Sequence, residues 1–202
     1  TIYYMDDPVR YQMEEGYRHF LAFFSDNNSC LRRSVWEKYP YPDVNFSEDQ
    51  IWAKHMIELG YKKVYCPTAA VYHSHNYPLK TYFKRYYDEY KAIYEIHKYQ
   101  MYTSLKGMIH GMLYLVGRDV KYIWNPKNKI GHKMKWSHYA WVRNRYQSIA
   151  GYIGGSYHGF PEPVKKYFDE RISQQHDQIH GENGEAEKMN NKKAFWKWLL
   201  IN

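Results

Sequence analysis

Two carboxylates stand side by side in Phe46-Ser-Glu-Asp-Gln-Ile-Trp52, and two histidines occur in Val71-Tyr-His-Ser-His-Asn76. Glu48 and Asp49 suit general-base chemistry: a hydroxyl attacking an electrophilic carbon must lose its proton, and a positioned carboxylate accepts it. The pair also has a plainer reading, because acids in the first turn of a helix favour its dipole by about 0.3–1 kcal/mol. That position keeps an acid ionised and weakens it as a base. His73 and His75, two apart, share one side of an extended segment. There they can bind a divalent metal or simply end a strand with hydrogen bonds. A structural zinc site from Cys30, Cys66, His73 and His75 is conceivable but lacks the usual ligand spacing. A fold that brings the two segments together sets a base beside a metal-ligand candidate, which suits sugar transfer from a nucleotide.

Basic residues lie close to both segments. Arg32 and Arg33 come after the turn Ser25-Asp-Asn-Asn28, and Lys84 and Arg85 come after the histidines. Each can neutralise a diphosphate or be part of a solvated helix face.

The elements that must position these groups are legible in part. Leu21-Ala-Phe-Phe24 reads as a buried strand entering a turn. Cys30 to Tyr39 reads as a short helix with Leu31, Val35 and Trp36 inward. Ser47-Glu-Asp-Gln50 matches a capping box, Trp52, Met56 and Leu59 then share a helix face, and Gly60 sits where a C-terminal cap belongs. Lys63-Val-Tyr-Cys66 and Ala69-Ala-Val-Tyr72 read as extended pieces broken by Pro67. From Pro78 the character changes. Leu79, Phe83, Tyr86, Tyr90 and Ile93 predict a long amphipathic helix whose other face carries Lys80, Lys84, Arg85, Asp88 and Lys91. Further helices are expected over 105–124 and 138–152, rich in Lys, Arg and Trp. Glycines at 151, 154, 155 and 159 are expected to loosen the region before Pro161 and Pro163. Residues 181–193 are polar and low in complexity, and Phe195-Trp-Lys-Trp-Leu-Leu-Ile201 forms an aromatic-basic end.

The bulk numbers narrow the class. The chain has 202 residues, 44% of them hydrophobic, a formal charge of +8 and 24 Tyr. Tyr and Trp favour sites apolar at one end and wet at the other, such as carbohydrate sites and membrane interfaces. The charge favours anionic partners. Two cysteines fit a reducing cytoplasm better than a disulfide scaffold. The first residues resemble neither an initiator segment nor a signal peptide, so the chain reads as a fragment of something longer. The longest apolar run, about Met108 to Val116, is too short to span a bilayer. Basic residues interleaved with aromatics over 105–150 suit anionic lipid headgroups; the chain carries no nucleic-acid motif, which disfavours that partner.

Three blocks taken together resemble family 2 glycosyltransferases, and bacterial rhamnosyltransferases most. They are Phe24-Ser-Asp-Asn-Asn-Ser-Cys-Leu-Arg-Arg-Ser34, Ser47-Glu-Asp-Gln-Ile-Trp-Ala53, and Leu59-Gly-Tyr-Lys-Lys-Val-Tyr-Cys-Pro-Thr-Ala-Ala-Val-Tyr-His-Ser-His75. A weaker likeness runs from Arg143-Asn-Arg145 to Gly151-Tyr-Ile-Gly154. The resemblance implies an α/β fold: the C-terminal half of a GT-A-like mixed sheet with flanking helices, followed by a mostly α-helical extension. It divides the chain into an acceptor-side catalytic part (1–77), a membrane-proximal helical extension (78–180) and a flexible tail (181–202).

The same resemblance implies roles. Asp49 is the catalytic base, Glu48 shapes the acceptor site, and His73, with His75, lies by a Mg or Mn ion near the diphosphate. Substrate-binding residues are Asn27, Asn28, Arg33, Trp52, Lys84 and Arg85. The donor is a nucleotide sugar, and the acceptor a cell-surface polysaccharide, on a polyprenyl diphosphate lipid or free. The anomeric configuration inverts, and the protein works in the cytoplasm at the inner face of the plasma membrane. Two departures stand out. The Asp-x-Asp motif of the nucleotide-binding half is not identifiable, Asp6-Asp7 lacking a preceding strand, so this chain alone is expected to be inactive. No Gln-x-x-Arg-Trp motif is present either, which favours transfer of a single sugar. The competing reading is a non-enzymatic basic-aromatic module for a membrane surface or nucleic acid.

Overall fold

A computed structural model describes residues 1–44, 46–73, 75 and 77–173. The expectations for 181–193 and 195–201 fall outside the described residues. The chain divides into two units, Thr1–Asn76 with Ala92–Tyr99, and Tyr77–Lys91 with Gln100–Asn202.

In the first unit the order is β1 (Ile2–Tyr3), α1 (Pro8–Met13), α2 (Glu15–Ala22), α3 (Arg33–Lys38), α4 (Glu48–Glu58) and β2 (Lys63–Val64). Local chemistry accounts for the starts and stops. Asp7 caps α1 by accepting from the Arg10 amide at 2.9 Å, with Pro8 at the first helical position, where its missing N–H costs nothing. Gly60 follows α4 at φ 83°, a left-handed angle that residue adopts without a Cβ penalty. β1 and β2 pair antiparallel, Ile2 against Val64 and Tyr3 against Lys63.

Two apolar clusters fill this unit, and α4 belongs to both. Ile57 packs with Tyr11 and Leu21. Trp52, Ala53 and Met56 pack with Phe24, Leu31, Val35, Tyr39, Tyr41 and Tyr61. Lys63 ties β2 to the end of α2, its ammonium donating to the carbonyl of Leu21 at 2.7 Å and to that of Phe23. Burial there pulls its pKa down to about 8.

The mixed α/β sheet is not what these residues build. Among the described residues the sheet has two strands of two residues each, and helices dominate. The expected strand at Leu21–Phe24 is the last turn of α2 and its exit. Tyr17 and Leu21 are one helical turn apart and pack into the same cluster, while Phe23 is exposed. The four-residue step therefore outweighs the short apolar run. Ala69–Tyr72 forms no strand, and Val71 and Tyr72 are exposed; with no partner strand to bury them, two apolar residues do not set extended structure. Trp36 also faces outward, and Leu59 is exposed beyond the end of α4.

α5 (Leu79–His97) begins in the second unit and gives its last residues to the first. Phe83, Tyr86 and Tyr87 pack with Ala150, Val164 and Phe168. The face expected to be polar is partly internal: Asp88 is buried, and Lys91 pairs with Asp169 at 2.8 Å. α6 (Leu105–Trp124) and α7 (Lys133–Gly155) form an antiparallel-type hairpin through a turn at Pro126–Asn128, and α8 (Glu162–Arg171) completes the described helices. Three of the four glycines expected to loosen the chain do the reverse, while Gly159 lies in the turn beyond α7 with open space around it. Gly151, Gly154 and Gly155 are buried within α7. A Cβ on Gly154 would lie 2.3 Å from the Tyr87 carbonyl oxygen, and one on Gly151 3.0 Å from the Tyr90 ring. They let α5 approach closely.

Two substitutions should therefore differ in sign. Gly154→Ala must displace backbone and should cost about 1–3 kcal/mol. Gly117→Ala on α6 meets open space and should add about 0.5–1 kcal/mol by restricting the unfolded chain. Urea denaturation of the two variants checks this.

Candidate functional site

The acidic pair sits at the first turn of α4, as its spacing predicts, but the cap is built differently. Ser47 is held at φ 59° and makes no side-chain capping bond. Asp49 takes over: its carboxylate accepts from the Gln50 amide at 2.7 Å. Gln50 in turn sends its side-chain amide to the Phe24 carbonyl, tying the helix start to the Ser25–Ser29 turn.

Two further residues complete the cluster, and the sequence did not single them out. Asp26, in the turn Ser25-Asp-Asn-Asn28, accepts a hydrogen bond from the Tyr41 hydroxyl at 2.6 Å. Tyr41 feels the charges of Asp26, Asp49 and Glu48 together. Burial first, and then the bond to Asp26, pushes its phenol above the ordinary range. Tyr41 rests against Trp52, ring centroids 5.6 Å apart, and Phe24 meets Trp52 at 5.9 Å. The signal for Tyr41 was its place between Pro40 and Pro42, whose fixed φ angles restrict the loop. Asp26 was hidden among the asparagines of its turn.

Asp49 is half-buried, and this reverses the electrostatic expectation. A helix start lowers a carboxyl pKa, and the amides of Gln50 and Asp26 pull the same way. Burial outweighs them, with Asp26 and Glu48 adding like charge, so the Asp49 carboxyl lies above its ordinary value. Desolvation disfavours the charged form, as does a second carboxylate nearby. The result is a more basic carboxylate than an exposed one.

The other expected site residues are more scattered. Asn27 folds back on Ser25, its side-chain amide donating to Oγ at 2.9 Å. Asn28 donates to the carbonyl of Ala69, so it fastens the turn to the segment that leads to the histidines. Arg33 is exposed and pairs with Glu37 at 2.7 Å. Trp52 is buried, its indole N–H donating to the Tyr39 carbonyl at 2.6 Å. Lys84 and Arg85 belong to the second unit, Arg85 lying over the Tyr77 ring at 5.6 Å. A shallow cleft elsewhere in the first unit is lined by Tyr11, Arg18, Lys54, Glu58 and Lys98 among others, none of them an expected site residue.

His73 and His75 do meet. Their Nε2 atoms are 2.8 Å apart and their rings perpendicular. At that separation one ring N–H donates to the other ring nitrogen. Both nitrogens would have to be free of that proton to ligate an ion together. Among the described residues no group of three or more His, Cys, Asp or Glu stands close enough to hold a metal, so Cys30 and Cys66 do not complete a zinc site. Asp49 and His73 share no hydrogen bond or charge contact among the described residues.

Comparison with known proteins gives two relatives, each matched over part of its length. A 67-residue stretch, 32% of this chain, is 43% identical to the O-antigen chain rhamnosyltransferase RfbN of Salmonella typhimurium. The O-antigen chain rhamnosyltransferase WbaN of Salmonella anatum matches equally, at 43% over 67 residues. In each case the match covers 21% of the relative's length. The chain is thus similar over that stretch to two O-antigen chain rhamnosyltransferases and spans about a fifth of their length. No family model and no solved structure matches the chain.

The raised carboxyl makes a signed prediction. A folded chain that holds the Asp49 proton more tightly than the unfolded chain loses stability as pH rises through the carboxyl range. Asp49→Asn removes that loss. Thermal denaturation should find the variant at least as stable as the parent at neutral pH, with the advantage vanishing below about pH 4, where the unfolded carboxyl is also protonated.

Proposed function

We propose that this chain is the acceptor-side part of an inverting glycosyltransferase. The whole protein would move one sugar, rhamnose or a similar hexose, from a nucleotide diphosphate donor to a cell-envelope polysaccharide or its lipid-linked precursor. The observation that carries the reading is the 43% identity to two O-antigen chain rhamnosyltransferases. The acidic cluster on an aromatic bed, Asp26, Glu48 and Asp49 around Tyr41 and Trp52, supports it.

In this reading Asp49 is the base. The acceptor hydroxyl hydrogen-bonds to its carboxylate, and the hydroxyl oxygen attacks the anomeric carbon from the face opposite the diphosphate. The new carbon–oxygen bond forms as the bond to the phosphate oxygen breaks. The electron pair leaves with the nucleotide diphosphate, the proton ends on Asp49, and the configuration inverts. Burial suits the role, since a carboxylate held above its ordinary pKa takes the proton more readily. Glu48 and the Asn27-Asn28 turn border the acceptor, and Tyr41 against Trp52 offers a sugar an aromatic face. Arg33 is assigned to the substrate's charge. His73 and His75 would hold a Mg or Mn ion, which when bound neutralises charge on the departing diphosphate.

Asp49→Asn in the complete protein tests the assignment. Transfer from a nucleotide-diphosphate rhamnose should fall by about 100-fold or more, with circular dichroism and melting showing an intact fold. Activity within about threefold of the parent would remove Asp49 as the base.

A further inference from the structure

We infer that the α6–α7 hairpin is a docking surface for an anionic phospholipid membrane. This is independent of the sugar-transfer reading. Nine of the chain's 29 Lys and Arg, but one of its 21 Asp and Glu, fall in residues 105–145. The rest of the chain is balanced, 20 against 20, so this stretch carries the whole formal charge of +8. The single acid, Asp119, is already bonded to Arg118 and Asn144. Among the described residues, Lys106, Lys121, Lys127, Lys129, Lys135 and Arg145 meet no carboxylate.

Apolar side chains face outward among these cations. Leu105, Ile109 and Leu113 succeed one another at four-residue steps and are all exposed, so they form one line along α6. Lys106, His110 and Lys121 lie on the adjoining exposed line. The line of Leu105, Ile109 and Leu113 borders the face that packs inward, where Met108 and Ile123 are buried. At the turn, Trp124 is half out of the protein with the Lys133 ammonium 5.5 Å from its ring. Met134, Trp136 and Trp141 continue the exposed apolar set on α7. Apolar residues that sink to the acyl boundary, with cations beside them at headgroup level, define a helix lying in an interface. No described helix is long and apolar enough to cross the membrane.

The occupant is set by charge and chemistry. A second copy brings the same positive face and is repelled. A nucleic acid satisfies the cations but leaves exposed Leu, Ile and Met without a partner. An anionic lipid surface satisfies both.

Co-sedimentation of the full chain with vesicles tests this. Phosphatidylglycerol–phosphatidylcholine vesicles should pellet the protein at low salt, and pure phosphatidylcholine vesicles should not. Raised salt should release it. Lys127→Glu with Lys129→Glu should weaken binding by about 25-fold or more, at about fivefold per cation. Leu113→Asn, at an exposed position, should weaken it at unchanged melting temperature. No binding, equal binding to both vesicle types, or binding indifferent to salt and to the charge reversals would overturn the inference. So would capture of the hairpin by duplex DNA in preference to anionic vesicles, or a concentration-dependent dimer that the Leu113→Asn change abolishes.

Discussion

Helix α4 is packed on two sides at once, and the candidate site depends on that constraint. Ile57 engages the cluster of α1 and α2, while Trp52, Ala53 and Met56 engage the loops from Phe24 to Tyr41. A helix held on both faces cannot rotate without opening one cluster. Its first turn is therefore fixed, and with it Glu48 and Asp49. The turn carrying Asp26 is fixed against the same helix through Gln50 and the Phe24 carbonyl. Three acids come together because the packing around Trp52 leaves them little alternative.

The same packing sets the chemistry of Asp49. A helix start and two amides stabilise its charge, yet burial and two neighbouring carboxylates outweigh them. An acid at the same helical position with full solvent would be an ordinary dipole partner. Partial enclosure converts it into a group whose affinity for a proton is raised. This strains the fold slightly where the pair of acids is crowded, as expected where local electrostatics serve a site.

Much of the helical architecture was legible from spacing. The 4, 3, 4, 3 steps from Leu79 announced α5, and the span 105–124 coincides with α6. Gly60 marks the end of α4 as expected. The fold class did not emerge, because it was taken from a resemblance rather than from the residues. Short apolar runs such as Leu21–Phe24 do not separate strand from helix end, and only tertiary partners decide. Within the site, Glu48 and Asp49 were visible as adjacent acids on a helix start. Tyr41 and Asp26 were not, since each matters through a partner distant in sequence. The glycines of α7 misled for the opposite reason. Their role lies in what they leave room for, and a sequence does not print the neighbouring carbonyl.

That spacing has an effect on how the second unit assembles. Three glycines within five residues give the end of α7 poor intrinsic helicity, about 1 kcal/mol per glycine against alanine. Those turns are stable only with α5 laid along them. Winding of the helix end and arrival of its neighbour are then a single cooperative event, and neither segment reaches its final shape ahead of the other.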